Sequence, residues 1–152
     1  MRLALYQPDI PQNTGTILIL AACLGVPVDV IGPTGFDMTD RSLRRAGLDY
    51  LDHADLTRHE CFETFLGSES QSGRRLVLLS SHATMTHIEF KFGGADTLLL
   101  GRESAGVPDA VHAVAGARIK IPMRQGLRSL NIAVAAAMVL GEALRQTNGF
   151  PP

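Results

Sequence analysis

Short apolar runs, separated by Gly, Pro and polar residues, set the rhythm of this chain. Leu3-Ala4-Leu5-Tyr6, Val28-Asp29-Val30-Ile31, Leu76-Val77-Leu78-Leu79 and Thr97-Leu98-Leu99-Leu100 each span four positions. Runs of that length between turn residues predict strands, and their near-continuous apolarity predicts burial on both faces. Arg118-Ile119-Lys120-Ile121 alternates instead and predicts a strand with one polar face. Between the first two strands, Asn13 or Thr14 caps a predicted helix running through Thr16 to about Leu24, stopped by Gly25 with Pro27 just beyond. Asp40 to Ala46 predicts a short basic helix ended by Gly47, and Thr57 to Leu66 predicts a second helix. The last element is an Ala-rich helix from Leu130 to about Gln146, closed by Asn148-Gly149. Strand, helix, strand at the start implies a parallel pair with a right-handed crossover. The whole order predicts an α/β fold, a mostly parallel sheet flanked by helices.

Composition narrows this picture. A chain of 152 residues with 45% hydrophobic content fits one domain, residues 1–152, with a core of its own, and excludes disorder. No run approaches the ~18 apolar residues of a membrane span. Pro8 and Asp9 interrupt the first residues too soon for a signal peptide. Cys23 and Cys61 stand apart, and the five His are scattered without helical ligand spacing, so neither a disulfide framework nor a metal site is expected. The expected location is the cytoplasm. Fourteen Lys+Arg against 15 Asp+Glu leave a formal charge of -1, which argues against a polybasic arm. The cations are nonetheless grouped. Arg41, Arg44 and Arg45 share one segment, and Arg118, Lys120, Arg124 and Arg128 share another, so two locally basic surfaces suited to phosphates are predicted.

Three segments join a strand end to a following helix through Gly, Pro or polar residues, and in open α/β sheets ligands bind at such carboxyl ends. They are Pro11-Gln12-Asn13-Thr14-Gly15-Thr16, Leu100-Gly101-Arg102-Glu103-Ser104-Ala105-Gly106-Val107-Pro108, and the stretch from Ile121 through Pro122, Met123, Ser129 and Leu130 to Asn131. The last two end where a helix begins, which offers backbone N–H groups to a ligand. Singly, each reads equally well as turn glycines and an N-cap. No G-x-G-x-x-G follows the first strand and no P-loop Lys is present, which disfavours a generic dinucleotide enzyme.

In order, PxNTG, LLLGRESAGVP and IPM…SLN resemble the three motifs of the SPOUT RNA methyltransferases. Gly32-Pro33-Thr34-Gly35-Phe36 and Leu43-Arg44-Arg45-Ala46-Gly47-Leu48-Asp49-Tyr50 narrow the likeness to the small tRNA (cytidine/uridine-34)-2'-O-methyltransferase group, the TrmL-like proteins. The resemblance runs from Leu3 to about Gln146. It implies S-adenosylmethionine-dependent methylation of the wobble ribose 2'-hydroxyl in leucine tRNAs, a homodimer, and a C-terminal part threaded into a trefoil knot. It also implies a cofactor cradle of Leu79, Gly101, Ile121, Ser129 and Leu130. Aliphatic walls suit the faces of adenine, and a glycine admits close backbone approach.

Methyl transfer to a ribose hydroxyl needs in-line positioning and a route for the hydroxyl proton. The candidate catalytic residues are Asn13, Glu103, Ser129 and Asn131, and the candidate tRNA contacts are Arg44, Arg45, Arg124 and Arg128. Glu103, the single carboxylate inside a motif, either organises the cofactor or loop or pairs with Arg102 or a later Arg. One position departs from the resemblance. Motif one usually carries an arginine in the first helix, where this chain has Ile19. An aliphatic side chain can neither hold a phosphate nor stabilise an alkoxide. Another Arg compensates, or activity is weakened, or this copy is a tRNA- or cofactor-binding module of the same fold.

Overall fold

A computed structural model describes residues 1–152 except 40, 42, 44, 46 and 47, and describes only the backbone of 48 and 49. Seven strands form one parallel sheet: β1 (Arg2–Tyr6), β2 (Val28–Ile31), β3 (Leu56–His59), β4 (Arg75–Leu79), β5 (Met85–Thr86), β6 (Asp96–Leu100) and β7 (Ala117–Lys120), in the order β3-β2-β1-β6-β4-β7-β5. Among the described residues the helices are α1 (Pro11–Leu24), α2 (Phe62–Leu66), α3 (Asp109–Val114) and α4 (Ile132–Thr147), with a 3-10 turn at Leu48–His53.

Alternation along the strands divides the core into two layers. Leu3, Leu5, Val28, Val30, Val77, Leu98, Leu100 and Ile119 face α1 and α4, which pack on each other over one side of the sheet. Ala4, Tyr6, Ile31, Leu76, Leu78 and Leu99 face Phe62 and Phe65 of α2 and Val111 of α3 on the other. Helices on both faces explain why the central runs are apolar at every position. Registers such as Leu3↔Val28, Leu3↔Leu98 and Leu79↔Leu100 bring the carboxyl ends of β1, β6 and β4 level with one another. The chain moves outward from β1 in one direction to β2 and β3, then returns to fill the other side. That reversal is where a ligand crevice opens in such sheets.

Several elements differ from the sequence expectation. The first helix starts at Pro11, with Ile10 at its N-cap, and not beyond a cap at Asn13 or Thr14. Proline suits the first helical position because the N–H it lacks has no partner there. The predicted helix from Thr57 to Leu66 is instead a strand and a short helix. Leu56–His59 pairs in parallel with β2, and only Phe62–Leu66 is helical, boxed at its start by Cys61 and Thr64. The last helix is capped by Asn131, so Ser129 is outside it. The two-residue β5 carries no apolar run and was not foreseen. Four of the seven residues of the predicted basic helix from Asp40 to Ala46, including Arg44, lie outside the described residues.

One buried charge ties the β2 edge together. Asp29, fully buried in β2, accepts hydrogen bonds from Arg2 Nε (2.8 Å), His59 Nε2 (2.7 Å) and Ser70 Oγ (2.8 Å). Burial alone raises the pKa of a carboxyl, but Arg2, His59 and Ser70 outweigh it and hold Asp29 below the usual range.

Candidate active site

A cleft of about 720 Å³ opens beyond the carboxyl ends of β1, β4, β6 and β7. That volume lies within the range of small-molecule and cofactor sites. Its walls combine Leu79, Ile121, Met123, Leu130, Ile132 and Ala135 with the polar side chains of Asn13, Glu103, Ser129 and Asn131. All five residues of the expected cofactor cradle line it, and so do all four expected catalytic residues. Strands place most of them. Leu79 ends β4, Gly101 follows β6 and Ile121 follows β7, while Asn131 starts α4.

A continuous polar chain joins the three segments. Glu103 Oε2 accepts the backbone N–H of Asp9 at 2.8 Å, and Oε1 accepts Asn13 Nδ2 at 3.4 Å. Asn13 Oδ1 accepts Asn131 Nδ2 at 2.9 Å. Asn131 Oδ1 then accepts the backbone N–H groups of Ala133 and Val134, satisfying the first turn of α4. The early start of α1 makes this possible. Asn13 sits inside the first turn and is not spent on capping, so its amide is free to bridge.

Glu103 bonds to the Asp9 backbone and to Asn13, and does not pair with Arg102. Arg102 pairs elsewhere: Nη2 donates to Asp9 Oδ1 at 2.8 Å and Nη1 to Gln7 Oε1 at 3.3 Å. Asp9 also accepts the Ser104 backbone N–H and hydroxyl, at 3.1 and 2.5 Å. The Arg102 and Ser104 hydrogen bonds hold its carboxyl down at about 2. Gly101 is required for a reason other than ligand approach. A Cβ there would lie 2.8 Å from the carbonyl carbon of Gly106, whose backbone exchanges two hydrogen bonds of 2.9 Å with Arg102. Gly106 closes this turn at φ +64°.

Among the described residues, the expected tRNA contacts do not line the cleft. Arg45, Arg124 and Arg128 are exposed, the last two adjoining the lining residues Met123 and Ser129 in the chain, and Arg44 is outside the described residues. Sequence reasoning missed Asp9, Asp109 and the stretch Ser80-Ser81-His82 as parts of the site. The last had a usable signal: it follows a strand, and the rule applied to the other strand ends applies equally there.

The family model described as SpoU rRNA Methylase matches residues 1–141. The chain belongs to the SpoU methylase family. This SpoU methylase is 62% identical over 148 residues, 97% of its length and 92% of the relative's, to a tRNA (cytidine(34)-2'-O)-methyltransferase of Beijerinckia indica. It is 38% identical over 153 residues, 99% of its length and 96% of the relative's, to the enzyme of the same name from Escherichia coli K12. Its fold matches a solved structure described as "Structural insights into the 2-OH methylation of C/U34 on tRNA", with TM-score 0.91, 43% identity, and coverage of 97% and 96% of the two chains. It also matches the SpoU methyltransferase AviRb of Streptomyces viridochromogenes in complex with AdoMet, at TM-score 0.85 and 28% identity, over 96% of this chain and 60% of that one. The family and the cleft agree on what this SpoU methylase is: a methyltransferase with an α/β parallel-sheet fold.

Proposed function

We propose that this enzyme methylates the ribose 2'-hydroxyl of nucleotide 34, a cytidine or modified uridine, in leucine tRNAs, with S-adenosylmethionine as donor. The observation that carries this reading is the cleft where all three motif segments meet, in a chain 62% identical to a relative named for 2'-O-methylation of cytidine 34 in tRNA. The donor fits the residues present. Leu79, Ile121 and Leu130 supply aliphatic walls, Gly101 and the turn behind it supply backbone groups, and Ser129 supplies a hydroxyl. When bound, the donor contributes an activated methyl group on a sulfonium. Its presence in the AviRb complex supports the choice.

The protein's own part is positioning. Asn13 and Asn131 present fixed amides along one wall, oriented by each other and by Glu103. Both Glu103 oxygens are engaged, so its role is to hold the loop and Asn13 in place. A preorganised wall of this kind lowers the entropy cost of aligning a hydroxyl for in-line attack. Arg44, Arg45, Arg124 and Arg128 are proposed as phosphate contacts outside the cleft. In a homodimer these contacts are doubled. The outer face of α4, with Val134 at 50% and Met138 at 43% exposure four residues apart, supports a second copy covering it. We further take the C-terminal part to be threaded as the trefoil knot of the resemblance, and the enzyme to act in the cytoplasm. No helix among the described residues is long and apolar enough to cross a membrane.

Labelled methyl transfer to leucine tRNA transcripts, with mapping of the modified nucleotide, tests this reading. Transfer to the 2'-oxygen of nucleotide 34 is expected. Tight binding without transfer at saturating RNA would sink it in favour of the binding-module alternative that Ile19 suggests. Ile19 is half-buried in α1, and Ile19→Arg is expected to raise methylation at unchanged donor affinity. A wild-type rate equal to that of the variant would make the departure harmless.

A further inference from the structure

We propose that Arg102 is the residue that receives an RNA phosphate inside the cleft, held ready by Asp9 and Gln7. The inference rests on the reading that a ribose enters this cleft. Every internal ribose in RNA carries a phosphate on either side, so a ribose cannot enter without bringing negative charge with it. The cleft is poorly suited to that charge. Glu103 and Asp109 both line it, and among the described residues Arg102 is the sole Lys or Arg that does. The cations grouped in the sequence, Arg45, Arg124 and Arg128, are outside the lining. Among the described lining residues, Arg102 is therefore the one guanidinium that can donate to a phosphate there, with its charge shared with Asp9.

Its geometry fits the task. The side chain is 37% exposed, and it is fixed at two points, by Asp9 at 2.8 Å and by Gln7 at 3.3 Å. Nε is buried without a partner, so the solvent-facing donors are on the two terminal nitrogens. Each terminal nitrogen carries two N–H groups and spends one, which leaves one N–H on each. Such a pair matches the oxygens of a phosphate in the bidentate manner that a lysine cannot reproduce. Asp9 does not consume the guanidinium, because its second oxygen is occupied by Ser104. It works as a positioning residue: it costs no ordering of Arg102 at the moment of binding.

The test compares the wild-type protein with Arg102→Ala and Arg102→Lys. Three quantities are measured: KM and kcat for a leucine tRNA transcript, S-adenosylmethionine affinity by calorimetry, and the salt dependence of tRNA binding. Arg102→Ala is expected to raise the tRNA KM about tenfold or more at unchanged donor affinity. The slope of log affinity against log salt should fall by about one phosphate's worth, roughly 0.7–0.9. Arg102→Lys should keep the salt slope but recover only part of the KM, since the fork is lost. An unchanged KM and slope in the Ala variant would overturn the proposal. So would tRNA and donor affinity falling together with melting temperature, the mark of a purely structural ion pair. Should Arg102→Ala fail to fold, the Lys variant decides: a KM equal to wild type then counts against the phosphate fork. A wild-type protein that transfers no methyl to tRNA refutes the cleft reading, while the salt slope still reports on Arg102 by itself.

Discussion

Gly101→Ala probes the turn on which the whole cleft depends. The added methyl would meet the Gly106 carbonyl carbon at 2.8 Å, its Cα at 2.9 Å and its oxygen at 3.1 Å. All three are backbone atoms, so no side-chain rotation relieves the clash. The segment from Arg102 to Gly106 must move, and the two hydrogen bonds of 2.9 Å that close it are the contacts it gives up. At about 0.5–1.5 kcal/mol each, their loss amounts to about 1–3 kcal/mol. Overpacking a tight site costs the same range, and the two figures describe one distortion and do not add. For a chain of this size that corresponds to a fall in Tm of about 2–12 °C. The same movement displaces Arg102 and Glu103, so donor affinity should drop at least about tenfold, or ~1.4 kcal/mol. Thermal denaturation and titration calorimetry with S-adenosylmethionine read both numbers. Gly106→Ala is the control. Its Cβ meets nothing within 4 Å, but its φ of +64° imposes strain, about 1–2 kcal/mol without a collision. It should lose stability and keep donor affinity. Wild-type Tm and affinity in Gly101→Ala would refute the claim that backbone approach fixes this residue.

Two further outcomes follow from the polar contacts. Asp29→Ala strands Arg2 and His59 on a buried carboxylate site and should cost about 3–5 kcal/mol in urea denaturation. Because the folded pKa of Asp29 is lowered, its stabilisation is complete above its ordinary 3.8 and is lost as pH falls through the folded value; a wild-type-like midpoint in the variant near neutrality would disprove the network. Asn131→Ala removes the α4 cap and should cost about 1 kcal/mol, measured by the same denaturation. Asn131→Asp keeps the capping oxygen but cannot donate to Asn13, so it should restore stability and leave methyl transfer impaired, whereas full activity in the Asp variant would detach the Asn13 contact from function.

The layout of the sheet was legible because burial on both faces leaves a plain trace. The runs at Leu3, Val28, Leu76 and Thr97 are all strands within a residue of the expected bounds. Elements at the sheet edges were not, since an edge strand needs less apolarity. Leu56–His59 has one aliphatic residue and is held by pairing with β2 and by the His59–Asp29 contact, both long-range. At the site, motif order sufficed to name residues lining the cleft. It did not reveal what each does. Gly101 lines the cleft but is also constrained from behind by Gly106, and Glu103, open in the sequence between organising the cofactor or loop and pairing with an Arg, bonds to Asp9 and Asn13. Asp9 carries no motif at all, and its importance arises only from what folds against it.

The long separations explain why roles resist a reading along the chain. Glu103 lies 94 residues from Asp9 and 90 from Asn13, and Asn131 lies 118 from Asn13. What brings them together is the position of β6 beside β1, which sets the loop after Leu100 against the loop after Tyr6. Each polar group is anchored on an element whose register the hydrophobic layers fix: β6 by Leu98 and Leu100, α4 by Ala136, Val139 and Leu140. Bonds that satisfy the polar groups therefore add little ordering cost of their own, and they transmit the rigidity of the sheet into the wall of the cleft. The same logic applies to Arg102. A guanidinium on a free loop would have to be ordered by its ligand, whereas here the Asp9 carboxylate and the Arg102–Gly106 turn have already ordered it.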